Sequence, residues 1–144
     1  AYGRIFKEGC IYHVKPYEGI VEMLTELRRR NMKLAVLSNK PHEQTQQVVK
    51  TFFGEDVFLR VQGQQEGIPR KPDPTSLLKL LEYLQIDKEE CLYIGDSEAD
   101  MKVGNAAEVD TVGVSWGFRT KEVLRAHSAT YIVDRPEDIL KIVL

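Results

Sequence analysis

Nothing in these 144 residues is long and apolar enough to cross a membrane, and no secretory signal pattern is visible. Cysteine is scarce. Cys10 and Cys91 are too few, and too ordinary in spacing, for a disulfide framework or a zinc site. Cys91 opens an apolar run, where a free thiol behaves as a small buried hydrophobe. An excess of either charge is also missing. Twenty Lys and Arg face 22 Asp and Glu, a formal net charge of −2, so no broad basic surface exists to attract nucleic acid or acidic lipid. The one basic run, Arg28-Arg29-Arg30 with Lys33, closes a predicted helix, where cations complement the dipole. There is no Gly-x-Gly-x-x-Gly and no Gly-x-x-x-x-Gly-Lys, so dinucleotide and nucleoside triphosphate binding lack support. His13 and His127 have no metal-ligand partners at recognisable spacing. No repeat, linker or low-complexity tract appears. A reducing cytoplasm is the expected compartment.

What is present fits one folded domain. With 42% hydrophobic and 29% charged residues, the chain is neither disordered nor too short for a sizeable core. Short apolar runs alternate with helical patterns. Residues 33–38, 57–61, 91–95, 111–114 and 131–133 read as strands. Ile20, Leu24 and Leu27 follow helical spacing, and Asn31 sits where a left-handed terminal residue is wanted. Val48, Val49, Phe52 and Phe53 mark a second helix, closed by Gly54. Asp73-Pro74 opens a third as cap and first residue, with Leu77, Leu78, Leu81 and Leu84 as its apolar face. Met101, Val103, Ala106 and Ala107 mark a fourth. Asp134 and Glu137, at capping-box spacing, open the last, packed down by Ile139, Leu140 and Val143. Strand alternating with helix predicts an α/β fold: a three-layer, Rossmann-like, mostly parallel sheet with helices on both faces. The opening stretch, with Tyr2, Phe6, Ile11 and Tyr12, has no clear periodicity and reads as a connector or as a short strand from Cys10 to Val14.

In such a sheet, ligands sit beyond the carboxyl ends of the strands. Three polar clusters fall at comparable strand tips. Ser38-Asn39-Lys40 offers a hydroxyl and helix-opening N–H groups suited to phosphate oxygens, although an ordinary capping turn has the same composition. Lys71 stands in Arg70-Lys71-Pro72-Asp73-Pro74, where two prolines stiffen the loop; a lysine held there offers a point charge to a phosphoryl group, and a solvated surface lysine is the plain alternative. Asp96 and Asp100, with Glu98 between, follow the run Leu92 to Gly95. Clustered carboxylates at a strand tip suit a hard cation such as Mg²⁺, whereas helix-opening acids alone need no such explanation. Trp116-Gly117-Phe118-Arg119 follows a strand and reads either as a border of the site or a subunit contact, or as a packed aromatic loop. His42 reads as leaning toward substrate or, more plainly, as a helix first-turn residue.

Together these clusters resemble the haloacid dehalogenase superfamily in its phosphatase branch. Pro16-Tyr17-Glu18-Gly19, Ser38-Asn39-Lys40-Pro41, Lys71-Pro72-Asp73-Pro74, Gly95-Asp96-Ser97-Glu98-Ala99-Asp100 and Gly113-Val114-Ser115-Trp116-Gly117-Phe118 resemble, in order, the phosphoglycolate phosphatase group, over about residues 16–144. The resemblance implies that Ser38 hydrogen-bonds the transferring phosphoryl group, with Asn39 assisting through its backbone. It implies that Lys71 bridges phosphate and nucleophile, that Asp96 ligates Mg²⁺, and that Asp100 completes or supports the metal shell. It also implies a nucleophilic Asp-x-Asp on a first, central strand. No two Asp in this chain are two residues apart, so that motif is missing.

The expectation is therefore an incomplete core at 16–144, preceded by a remnant of a cap-to-core connector at 1–15, with the family's central strand missing. The strands that should flank it would pair with each other, recruit Cys10–Val14, or pair with another chain, giving self-association through exposed edges. The expected function is that of a Mg²⁺-dependent phosphatase core for small phosphomonoesters, phosphoglycolate favoured, inert as this chain alone. The alternative is a non-catalytic phosphate- and cation-binding or regulatory module. A receiver-like signalling domain is disfavoured, because only one acidic strand tip is visible. The expected partner is a small phosphorylated metabolite, not nucleic acid or a membrane.

Overall fold

A computed structural model describes residues 5–7, 11–12, 15–16, 19–71, 73–116 and 120–142. The main sheet has six strands in the order β5-β4-β1-β6-β7-β8, all parallel. They are β1 (Ile5–Lys7), β4 (Ala35–Pro41), β5 (Arg60–Gln64), β6 (Leu92–Gly95), β7 (Asp110–Val114) and β8 (Tyr131–Val133). β2 (Ile11–Tyr12) and β3 (Lys15–Pro16) form a separate antiparallel pair. The helices are α1 (Ile20–Arg29), α2 (His42–Phe53), α3 (Thr75–Leu84), α4 (Glu98–Ala106), α5 (Lys121–Ala126) and α6 (Pro136–Ile142).

The three-layer α/β arrangement is the expected one, and its centre holds the main surprise. The position between β4 and β6 is filled by Ile5–Lys7, which pairs in parallel with both: Phe6 lies opposite Val36 and Ile94. Within the Cys10–Val14 stretch the described residues Ile11 and Tyr12 pair with Lys15 and Pro16 rather than with the main sheet. Residues 5–7 thus belong to the core sheet, and 1–15 is not all connector. A three-residue strand is too short to show a period of two, so its pattern was not visible. β1 contains no aspartate.

Two apolar layers follow from strand alternation. Val36, Leu92, Ile94, Val112 and Val114 point to one face, against Ile20, Met23, Leu24 and Leu27 of α1, Val49 of α2 and Ile139 of α6. Ala35, Leu37, Cys91 and Tyr93 point to the other, against Leu77, Leu80 and Leu81 of α3 and Val103 of α4. Asn31 is left-handed at φ 63°, and Gly54 closes α2, as expected. In α3 Leu80 takes the buried place, while Leu78 is exposed.

Three local readings need correction. β5 begins at Arg60, not Val57: Val57 and Phe58 pack into the core from a loop, so their apolar character reflects burial without sheet pairing. Asp73 caps from one residue further out, its Oδ1 accepting the Thr75 N–H at 2.8 Å, with α3 starting at Thr75. Asp134 does not cap α6. Its carboxylate accepts from Ser115 Oγ at 2.7 Å and Lys121 Nζ at 2.8 Å, and Asp138 Oδ2 accepts the Arg135 N–H at the helix start. Tyr2, Cys10, His13, Val14, Tyr17, Glu18, Pro72, Gly117, Phe118, Arg119 and Val143 lie outside the described residues. Among the described residues no helix is long and apolar enough to cross a membrane.

Candidate active site

Parallel strands deliver their carboxyl ends to one rim, and three polar tips meet there. Ser38, Asn39 and Lys40 come from the end of β4, Lys71 from the β5–α3 loop, and Ser97, Ala99 and Asp100 from the turn of β6 into α4. These seven residues line one cavity of about 150 Å³. Asp96 stands at the same β6 tip and is 5% exposed. Three clusters that lie at least 25 positions apart in sequence are therefore brought to one place, as the motif order predicts.

Ser38 is buried, and its Oγ accepts the Lys40 N–H at 3.0 Å. That bond uses a lone pair and leaves the hydroxyl proton able to point into the cavity. Asn39 has a role the sequence did not reveal. Its Oδ1 accepts the Lys71 backbone N–H at 3.0 Å, and its Nδ2 donates to the Lys71 carbonyl at 3.5 Å. Its side chain therefore holds the loop that carries the lysine.

The Lys71 ammonium reaches Asp100 Oδ1 at 3.1 Å; the two side chains are 4% and 0% exposed. Tyr93 donates to the same oxygen at 3.5 Å. Asp100 Oδ2 accepts the Asp96 N–H at 3.1 Å and the Ser97 hydroxyl at 3.0 Å. Ser97 Oγ in turn accepts the Asp100 N–H at 3.3 Å and so caps α4. Tyr93 is fully buried. Burial, then the charge on Asp100, pushes its phenol well above the usual value near 10, so it remains a donor. Tyr93 was legible only as a core residue, because it sits inside an apolar strand.

Gly95 makes this packing feasible. A Cβ there would stand 2.3 Å from Asp100 Cβ and 2.6 Å from its Oδ2. Only a residue without a side chain lets α4 lay Asp100 against the strand end.

A carboxylate has about four acceptor positions, and in Asp100 four protein donors occupy them. Asp100 thus fits the supporting role, one of the two that the resemblance implies for it beside Asp96. Mg²⁺ commonly takes one or two carboxylates, with water and substrate phosphate completing its shell. Asp96 beside a phosphate-sized cavity fits that pattern. Among the described residues no group of three potential ligands gathers.

The other candidates lie elsewhere. His42 opens α2, and its Nδ1 accepts the Gly63 N–H at 3.1 Å, so it ties α2 to the edge strand. His127 Nδ1 meets the Val123 carbonyl at 2.9 Å. Trp116 packs against the α1 and α6 side of the core and lines a larger cavity, about 700 Å³, with Met23, Leu140 and the loop before α6. That cavity is less persuasive as a site despite its size. Of its four charged lining residues, Arg135 and Glu137 pair with each other and Asp134 pairs with Lys121 from outside the lining, which leaves Glu22 as the fourth.

The chain is 31% identical over 137 residues to a phosphoglycolate phosphatase of Aquifex aeolicus, covering 95% of this chain and 63% of that one. It is 31% identical over 127 residues to the pyrophosphatase PpaX of Listeria welshimeri, covering 88% and 58%. A solved structure from Lactobacillus delbrueckii subsp. bulgaricus, whose phosphoglycolate phosphatase assignment is itself provisional, superposes with TM-score 0.85 at 38% identity, covering 90% of this chain and 54% of that one. The chain thus spans about three-fifths of the length of the relatives it matches. The family profile of haloacid dehalogenase-like hydrolases matches residues 1–114, and the chain belongs to that family.

Proposed function

We propose that the rim around Ser38 and Lys71 binds the phosphoryl group of a small phosphomonoester, phosphoglycolate-like in size, as the phosphate-holding part of a Mg²⁺-dependent phosphatase site. The observation that carries this reading is the single cavity into which Ser38, Lys71 and Asp100 all open. The hydroxyl of Ser38 donates to a phosphoryl oxygen. The Lys71 ammonium, steered by Asp100, neutralises charge that builds on the group. Asp96 would hold Mg²⁺, which supplies further neutralisation and orientation of the phosphate. Phosphoryl transfer depends chiefly on such positioning and charge. The proposed setting is a reducing cytoplasm, in which the free thiol of Cys91 persists.

The covalent route that the resemblance implies needs a nucleophilic carboxylate. The sequence has no Asp-x-Asp, and β1, at the sheet centre, contains no aspartate. We therefore propose binding without appreciable turnover for these 144 residues alone. Calorimetry with phosphoglycolate and with inorganic phosphate, each with and without Mg²⁺, tests the binding. Hydrolysis of an aryl phosphate tests the turnover. No heat of binding sinks the reading; brisk hydrolysis that disappears in Asp96→Asn sinks the inertness.

A second reading, a non-catalytic phosphate-binding or regulatory module, is favoured by the completeness of the Lys71–Asp100–Tyr93–Ser97 network within the chain. Tighter binding of phosphoglycolate than of inorganic phosphate favours the substrate site; equal affinity favours the module.

A further inference from the structure

Lys71 approaches the cavity from a long loop, yet its ammonium is held beside Asp100 with almost no exposure. Something must place the loop. Within it, the Asp73 N–H donates to the Arg70 carbonyl at 3.0 Å, and Ser76 Oγ donates to the Pro69 carbonyl at 3.2 Å. Both bonds tie the loop to itself or to α3. The Asn39 carboxamide is different. It grips both the N–H and the carbonyl of Lys71 from β4, 32 residues away in sequence. A backbone N–H can only donate, so the amide oxygen must face it, and the amide nitrogen then faces the carbonyl. Asn39 also adjoins Ser38, whose hydroxyl position is set by the Lys40 N–H.

We infer that Asn39 is a positioning residue: its side chain docks the β5–α3 loop on the tip of β4 and thereby fixes the Lys71 ammonium relative to the Ser38 hydroxyl. It acts through Lys71, and the sequence-based expectation gave it only a backbone role. The strand tip and the loop then present hydroxyl and charge at one spacing, which a tetrahedral anion can read without the loop first being ordered. The inference takes the cavity to be the phosphate site proposed above, and its first readout is chosen so as not to need phosphate.

That readout is amine reactivity. Acetylate the full chain briefly under native conditions, cut after glutamate, and read the peptide spanning residues 67–82 by fragment mass spectrometry. The peptide contains Lys71, which is buried, and Lys79, which is exposed and serves as internal reference. Alkylation of the buried Cys91 thiol reports global opening. In the wild-type chain Lys71 reacts several-fold more slowly than Lys79. In Asn39→Ala the Lys71 rate rises about fivefold, the scale of one lost net hydrogen bond, while Lys79 and Cys91 keep their rates. Asn39→Asp keeps an acceptor for the 3.0 Å bond but turns a carboxylate oxygen toward the Lys71 carbonyl, so the Lys71 rate rises there too while Lys79 and Cys91 keep theirs. The dissociation constant for inorganic phosphate rises by about the same factor in Asn39→Ala.

Unchanged Lys71 reactivity in Asn39→Ala overturns the inference. So does a rise matched by Cys91, which would make Asn39 a general stabiliser; if the alanine variant does not fold, the aspartate variant is read by the same criterion. A wild-type chain that binds no phosphate removes the phosphate-site reading, while the labelling result still decides the role of Asn39.

Discussion

Asp100 and Glu26 are both carboxylates with cations about 3 Å away, in opposite surroundings. Asp100 meets Lys71 at 3.1 Å with side-chain exposures of 0% and 4%. Glu26 accepts from Arg29 at 2.8 Å and Arg30 at 2.9 Å, with Arg29 76% exposed. On α1 the charges are three and four residues apart, so the helix alone brings them together. At the rim, Asp100 and Lys71 come from different elements 29 residues apart, and only the fold brings them together. Water screens the first cluster and makes it cheap to alter. The second is excluded from water, so each charge depends on its partner. The α1 cluster explains a basic run on the surface, whereas the rim pair sets the position of a cation in a cavity.

The largest effect should come from leaving one rim charge alone. Asp100→Ala takes the 3.1 Å carboxylate from a buried ammonium and frees three further donors, and we expect a loss of about 3–5 kcal/mol in urea denaturation. Lys71→Met should cost less, because Asp100 keeps the Tyr93 hydroxyl, the Asp96 N–H and the Ser97 hydroxyl. Equal losses in the two variants would mean that the pair, and not the four-donor cradle, carries the stability. Gly95→Ala comes next. It presses a methyl group into Asp100 Cβ, an atom fixed to the α4 backbone, and should cost about 1–3 kcal/mol and weaken phosphate binding. A variant of wild-type stability would show that α4 can retreat from the strand end.

Some of this contrast was legible in the sequence, and the reasons differ by residue. Continuous apolar runs such as Leu92 to Gly95 announced buried parallel strands. Once strands alternate with helices, Ser38, Lys71 and Asp96 must fall on the same rim, so their convergence was readable from motif order. The Lys71–Asp100 pair was not, because i and i+29 carry no periodicity. Asn39 was hidden because a carboxamide beside a serine reads as a turn. Tyr93 was hidden because its ring satisfies the strand pattern and conceals what its hydroxyl does. Ile5–Lys7 was hidden by shortness, and the start of β5 by Val57 and Phe58, which are buried without being paired.

Tyr93→Phe sharpens the comparison by removing one donor from the buried carboxylate and nothing else. The bond is long, 3.5 Å, so the expected loss lies at the low end of about 0.5–1.5 kcal/mol. Because burial and Asp100 keep the phenol protonated, the difference between wild type and variant should stay constant from neutral pH to pH 9. A difference that shrinks over that interval would show the hydroxyl ionising, against its buried position.

The smallest effect belongs to Glu26 and has a definite sign. Hydrogen bonds from Arg29 and then Arg30 hold its carboxyl at about 2, below its ordinary 4.5. A folded value below the unfolded one means that the contribution is complete above about 4.5 and fades as pH falls toward about 2. The melting temperature of Glu26→Gln should therefore lie slightly below wild type at pH 6, with the gap closing as both are acidified. Added salt at pH 6 should narrow it too, since the cluster faces water. Arg30 also donates to the Leu140 carbonyl at 2.9 Å, a bond from α1 to α6 that does not require the Glu26 charge. A gap that persists at pH 2 and in high salt would mean that Glu26 acts by holding Arg30 in that bridge, making the α1 cluster a tertiary contact like the one at the rim.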